Sequence, residues 1–324
     1  MAYAVTGPDL APVYAPLVVH DVDCERQVVA THFVSTLGRA RAHDVLALCR
    51  AWQPDVVVRD EVDFGAVVAA EAAGLPHVAV VVLGAGGFIV PALVRDPLDR
   101  LRADLSLQEA DGLAMLHRYL TLTPFPASFR DPADPLPGRV LAYQVATARP
   151  VAPAGRRVFV TLGTIVNTES GDLLRRLAIG VAASRFVDRV LVATGEHLDP
   201  ATLGPLPQNV STQLFVDQEQ VLQSCALVVS HAGSGTVLGA LKNGLPTVNL
   251  PIGADQHLNA VRLTELGAGL LLPADTASSE DVRSAVDVAL GSDAFRERAQ
   301  RLAKEIRAMP DLDAAVRAVA DLAT

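Results

Sequence analysis

The chain has 324 residues, half of them hydrophobic and 19% charged, enough for two globular domains, since a single core stops growing beyond about 250 residues. A formal net charge of −9 argues against a nucleic-acid partner, because phosphate-backbone binding is carried by clustered Lys and Arg. Cys24, Cys49 and Cys225 lie far apart without metal-ligand spacing, no apolar run reaches the length of a membrane span, and no charged and then apolar leader opens the chain, so a cytoplasmic protein without metal or disulfides is expected.

Strand-like apolar runs alternate with helical periods along the whole length, the pattern of parallel sheets with crossover helices. In chain order, Ala2 to Val5 reads as strand, Glu25 to Ala51 as helix, Asp55 to Val58 as strand, Asp63 to Ala73 as helix and His77 to Val82 as strand. Pro97 to Leu120 carries Leu98, Leu101, Leu105, Leu113, Leu116 and Leu120 and reads as mostly helical, with a break near Gly112. From Leu122 to Arg157 prolines are dense, which removes backbone donors and predicts an extended connector with a domain boundary near residue 150.

The alternation then restarts with strands at Arg157 to Gly163, Arg189 to Thr194, Val210 to Leu214, Ala226 to Ser230, Thr247 to Leu250 and Leu270 to Leu272. Helices are expected at Glu169 to Ala183, Gln218 to Gln223, Ser234 to Asn243, Ala254 to Leu266, Ser279 to Leu290, Ser292 to Ala308 and Leu312 to Leu322. The implied architecture is α/β, two doubly wound domains over 1–150 and 151–324 facing across a cleft, with the ligand crevice at the carboxyl ends of the strands.

The densest chemistry lies in SHAGSGTVLGALKNGLPTVNLPIGADQHLNA, Ser230 to Ala260. His231 follows a buried strand, and Gly233 and Gly235 precede a helix, so unpaired N–H groups and the positive end of a helix dipole form an anion site, with Ser234 and Thr236 as hydroxyl donors. The plainer alternative is that the glycines only shape the turn and His231 caps it. Asp255 and Gln256 fall after the next strand, on the same strand-end face, where they could hold vicinal hydroxyls; alternatively Asp255 caps a helix.

Together the pattern HxGxGTxxxALxxGxPxxxxPxxxDQxxNA, with FVDQ at Phe215, VTLGT at Val160 and GAG at Gly267, resembles the donor-binding signature of family 1 glycosyltransferases of the GT-B fold, the group of plant secondary-product and bacterial antibiotic enzymes. The resemblance implies that His231, Gly233, Ser234, Gly235 and Thr236 hold a donor diphosphate, that Gly163 and Thr164 reach phosphate or base, that Phe215 and Val216 receive the nucleobase, and that Asp255 and Gln256 hold the sugar. It implies a UDP- or dTDP-sugar as co-substrate, no metal or other cofactor, and transfer to a hydrophobic natural-product hydroxyl. The acceptor pocket is expected from Gly84 to Val94 and the proline-rich segment, and the last helix is placed back on the N-terminal domain.

In the family an inverting transfer uses a His in the loop after the first N-terminal strand, oriented by an Asp after a later strand. Asp60 fits that Asp, and Glu61 and Asp63 beside it read as solvated helix-start carboxylates. The His has no counterpart: MAYAVTGPDL aligns with the second strand of the family, so the N-terminal domain is read as incomplete, with a misassigned start as the simplest account. His20, His32 and His43 read as surface or acceptor-lining residues. A non-catalytic nucleotide-sugar-binding or auxiliary protein is the second reading, and a homodimer is left open; an epimerase of the same fold is disfavoured by the Asp-Gln pair.

Overall fold

The structure, a computed structural model, describes residues 17–109, 113–145, 156–163 and 170–323. The strand read at Ala2 to Val5 and residue Thr164 lie outside them. Chain contacts divide the described residues into two compact units, one of 22–145 with 309–323 and the other of 156–308 with 17–21.

In the first unit, α1 (Val22–Val28) continues through a π-helical stretch, Val29–Leu37, into α2 (Gly38–Trp52), which ends on the left-handed Gln53. A parallel sheet follows in the order β1 (Val57–Asp60), β2 (His77–Val80), β3 (Leu120–Thr123), β4 (Val140–Ala142). Between β1 and β2 lies α3 (Phe64–Ala72), capped by Asp63, whose side chain accepts from the Ala66 amide. Among the described residues β1 pairs on one side only.

Two expectations about secondary structure fail in this unit. The helix read from Pro97 begins at Pro91, where a proline at the first position costs no hydrogen bond, and α4 (Pro91–Asp104) ends before the later leucines. Leu116 and Leu120 are buried from other elements, a 3₁₀ turn at Ala114–His117 and β3, so their helical spacing spans three pieces of chain. The described part of the proline-rich stretch, to Val145, is likewise a folded layer: β3 and β4 are sheet strands, and Phe125 and Phe129 stack at 5.5 Å inside the core. Pro124, Pro126, Pro132, Pro135 and Pro137 fall between these two strands, where no ladder N–H is needed, and Pro150 and Pro153 lie outside the described residues.

The second unit has a parallel sheet in the order β10-β9-β8-β5-β6-β7. Its strands are β5 (Arg157–Thr161), β6 (Arg189–Ala193), β7 (Val210–Gln213), β8 (Cys225–Ser230), β9 (Thr247–Asn249) and β10 (Gly269–Leu271). The helices α5 (Leu173–Ala182), α6 (Gln218–Leu222), α7 (Ser234–Lys242), α8 (Gln256–Glu265), α9 (Ser279–Gly291) and α10 (Asp293–Ala308) alternate with or follow them. The chain winds outward from β5 through β6 and β7, then returns to place β8 on the other side of β5, so a topological switch point opens at the carboxyl ends of β5 and β8.

Two short segments complete the units. The final helix, α11 (Leu312–Ala320), buries Ala315 and Ala318 against Val78, Leu120 and Leu122 of the first sheet. Leu17 packs on the core of the second unit, and the His20 amide donates to the Ile252 carbonyl at 2.7 Å. No helix among the described residues is long and apolar enough to cross a membrane.

Candidate functional site

The switch point of the second unit is built by one histidine and two glycines. β5 and β8 run in register to Thr161 and Ser230, so the residues that follow each strand meet. A Cβ on Gly163 would stand 2.9 Å from the His231 ring, and one on Gly233 would collide with its Nε2. Gly163 also has φ +77°, a conformation that favours glycine. Both glycines are therefore required by the position of His231. Gly235 is different: a Cβ there would meet nothing within 4 Å, so the first turn of α7 faces open space.

α7 starts on Gly233 without a side-chain cap, leaving first-turn amides and the positive helix end at this face. His231 is 8% exposed, and burial pushes its imidazole down to about 4, with the Thr161 backbone pulling weakly the other way. It is neutral at pH 7, and its buried Nδ1 has no hydrogen-bond partner among the described residues. The turn between β8 and α7 is held by Ala232, which adopts φ +65° although it is not glycine. Its amide donates to Ser230 Oγ, and its carbonyl accepts from Asn259 Nδ2 at 3.0 Å.

Asn259 closes the DQxxNA end of the sequence pattern, but no role was assigned to it. Fully buried on α8, it donates also to Ser234 Oγ at 3.0 Å and to Asp255 Oδ2 at 2.8 Å. Ser234 in turn donates its hydroxyl proton to Asp255 Oδ2 at 2.6 Å. The Ser234 proton is thus directed at Asp255 and the Thr236 hydroxyl faces Gln218 Oε1 at 3.4 Å, beside the first-turn backbone amides of α7.

Asp255 and Gln256 are brought to the same face, 8% and 5% exposed. Asp255 occupies the N-cap position of α8 without capping it through its side chain, which removes the capping alternative. Burial raises its pKa, while the bonds from Ser234 and Asn259 pull it down. Gln256 Oε1 accepts from the Ile252 and Gly253 amides at 2.8 and 3.1 Å, which fixes the carboxamide and turns its NH2 away from those amides.

Beside Gly163 lies a cavity of about 410 Å³ lined by Phe159, Thr161, Gly163, Ala193, Gly195 and Leu214 to Gln218. Phe215 is 68% exposed at its rim, and Val216 is half-buried. An apolar hollow next to uncapped amides suits a flat ring attached to phosphates.

The first unit holds a second cavity, of about 280 Å³, lined among others by Glu61, Leu83, Gly86 to Ile89, Leu116, His117, Arg130 and the prolines 91, 135 and 137. Both segments expected to form an acceptor pocket contribute to it. Glu61 corrects the sequence: it is buried, not solvated, and its Oε1 accepts from the Val82 and Leu83 amides at 2.7 and 2.6 Å. Asp63 caps α3 and pairs with Arg41 at 3.1 Å. Asp60 Oδ1 accepts from the Val62 amide at 2.8 Å, and burial raises its pKa, with Asp63 adding to the effect.

Two of the three histidines read as surface or acceptor-lining residues are at the surface. His20 and His43 are exposed and His32 is half-buried against Phe33. Two others, passed over in the sequence, are the ones inside: His77, 1% exposed on β2 and pushed down to about 3 by burial, and His117, which lines the cavity. Neither sits in a motif, so only the fold identifies them.

Comparison with known proteins gives concordant results for both units. The family model for the erythromycin biosynthesis protein CIII-like C-terminal domain matches residues 180–322. L-demethylnoviosyl transferase of Streptomyces niveus is 30% identical over 267 residues, covering 80% of this chain and 69% of that protein. 3-alpha-mycarosylerythronolide B desosaminyl transferase of Saccharopolyspora erythraea is 29% identical, covering 82% and 68%. Among solved structures, spinosyn rhamnosyltransferase SpnG superposes with a TM-score of 0.77 at 26% identity, covering 91% of this chain and 80% of that one. SpnG has also been solved with thymidine diphosphate and with spinosyn aglycone.

Proposed function

Because the chain belongs to the family 1 glycosyltransferases of the GT-B fold, of the antibiotic and natural-product type, we propose that it moves a sugar with inversion from a dTDP-sugar to a hydroxyl of a hydrophobic polyketide-like acceptor. The observation that carries this reading is the switch point: neutral His231, the uncapped first turn of α7 and the Asp255–Gln256 pair share one strand-end face. On it the diphosphate lies against the α7 amides and His231, and the sugar hydroxyls meet Asp255 and the Gln256 amide. The base enters the cavity beside Gly163, with Phe215 and Val216 at its edge. The thymidine diphosphate bound by SpnG, and the apolar walls of that cavity, favour dTDP over UDP.

In the transfer, the acceptor oxygen forms a bond to the anomeric carbon as the bond from that carbon to the β-phosphate oxygen breaks. The electron pair stays with the departing diphosphate, and backbone amides aimed at it stabilise the developing charge. The acceptor proton goes to a general base that is not assigned among the described residues, and to Asp60, at the end of β1, we assign the role of orienting that base. The cavity of the first unit takes part of the acceptor.

The test is transfer itself: dTDP-sugars and a panel of macrolactone acceptors are incubated with the protein, and products are read by mass spectrometry. Expected are a mass gain of one sugar and release of thymidine diphosphate. His231→Ala should weaken thymidine diphosphate binding about tenfold or more in calorimetry, the loss of one good hydrogen bond and its packing. Tight nucleotide binding with no turnover on any acceptor would leave a binding protein in place of this reading.

A further inference from the structure

In the cavity of the first unit, most polar lining groups are turned toward the backbone. Arg130 donates to the Asp134 carbonyl at 2.7 Å, to Asp134 Oδ2 at 2.6 Å and to the Leu83 carbonyl at 3.3 Å. Asp134 Oδ2 accepts from the Gly87 amide at 2.7 Å, and Glu61 is occupied by two amides through one oxygen. Leu83, Phe88, Ile89, Leu113, Leu116 and the prolines supply an apolar wall. His117 stands apart from both groups.

Its position is fixed from two sides. The 3₁₀ turn that ends on His117 is tied to β1 by buried Arg59, which donates to the Leu116 carbonyl and to the carbonyls of Asp60 and Glu61. The ring is held through Nδ1, 2.9 Å from Thr121 Oγ1 on β3. Thr121 is fully buried, and among the described residues this is the one partner of its hydroxyl. A buried hydroxyl needs an acceptor for its proton. Thr121 therefore donates, Nδ1 accepts, and the imidazole proton resides on Nε2. Burial holds His117 down at about 4, with Arg59 and Arg130 pushing the same way, so the ring is neutral at pH 7.

We propose that His117 donates from Nε2 to a carbonyl or ether oxygen of the acceptor, so that this cavity selects an uncharged, oxygen-bearing apolar group. An Nε2 that carries a proton cannot also accept the hydroxyl proton there, so His117 positions the acceptor and is not its base. The inference rests on the reading of the cavity as the acceptor pocket.

The tautomer is measured by long-range ¹H–¹⁵N spectra of histidine-labelled protein, assigned with His117→Phe. Expected is a protonated Nε2 and an unprotonated Nδ1 for His117; the reverse overturns the proposal. Spinosyn aglycone and thymidine diphosphate are then titrated calorimetrically into the wild type, His117→Phe, His117→Gln and the double variant His117→Phe with Thr121→Val. His117→Phe should bind the aglycone about tenfold more weakly, the loss of one donor, and His117→Gln should restore most of the affinity. All should bind the nucleotide equally. The double variant, which removes the stranded hydroxyl along with the ring, should regain melting temperature without regaining the aglycone. Equal aglycone affinity in wild type and His117→Phe overturns the role of His117 and leaves the pocket reading standing. A wild type that takes up the nucleotide and no aglycone overturns both.

Discussion

At the scale of single residues, the switch point is a set of mutual constraints around His231. Gly163→Ala adds a methyl 2.9 Å from that ring at a φ of +77°, so either the ring or the β5 turn must move. The expected outcome is a folded protein that binds thymidine diphosphate at least about tenfold more weakly, about 1.4 kcal/mol; unchanged affinity in calorimetry would show that His231 position is irrelevant. Three histidines also set the acid limit of stability. His77 is held at about 3, and His117 and His231 at about 4, all by burial and all below the ordinary 6.5. Below pH 6.5 the unfolded chain takes up protons that the native one refuses, so stability falls as pH drops toward 4, by about 1.4 kcal/mol per pH unit for each group. The raised pKa values of Asp60 and Asp255 oppose this toward the acid end. Urea midpoints at pH 7, 6 and 5 should decline, and His77→Phe should flatten the decline; a flat wild-type profile would contradict it. The histidine before the glycine turn was visible in the sequence because its spacing marks it. The role of Asn259, a position of the same pattern, and the whole of His117 were not, since what they do depends on Ala232, Ser234 and Thr121, partners that only folding brings within 3 Å.

At the scale of elements, α11 shows how a short helix of alanines can matter. Ala315 and Ala318 are buried against β2 and β3, while Leu312 and Val316 on the other side are 49% and 58% exposed. Ala318→Glu places an unpaired charge on that contact and should cost the first unit about 3 kcal/mol. Binding of thymidine diphosphate, whose proposed residues belong to the other unit, should persist at temperatures where the first unit is still folded. An unchanged denaturation profile would refute the contact. Most strands of the second unit were legible to within a residue or two, because each is an uninterrupted apolar run ended by glycine or a polar turn. The misreadings cluster between Pro97 and Arg157. There the leucine spacing came from a helix, a 3₁₀ turn and a strand in succession, and the prolines punctuated a sheet layer instead of replacing it. Glu61 was read as solvated for a related reason: a carboxylate after a strand looks like a helix start until the amides of Val82 and Leu83 are placed against it.

At the scale of the molecule, the two units do not correspond to two continuous lengths of chain. Residues 17–21 belong with the second unit, through Leu17 in its core and the His20 amide on Ile252, while residues 309–323 belong with the first through α11. Each half of the sequence thus keeps a piece of itself in the other. A protease site engineered into 146–155 and cut would yield two polypeptides that exchange segments like clasped hands. They should migrate apart in denaturing gels yet elute together in native chromatography, and that cohesion should weaken when the second polypeptide is also shortened after Ala308, which leaves only residues 17–21 exchanged. The same clasp makes the protein a natural candidate for reassembly from separately expressed halves, each incomplete until it recovers the strip of chain that its partner carries.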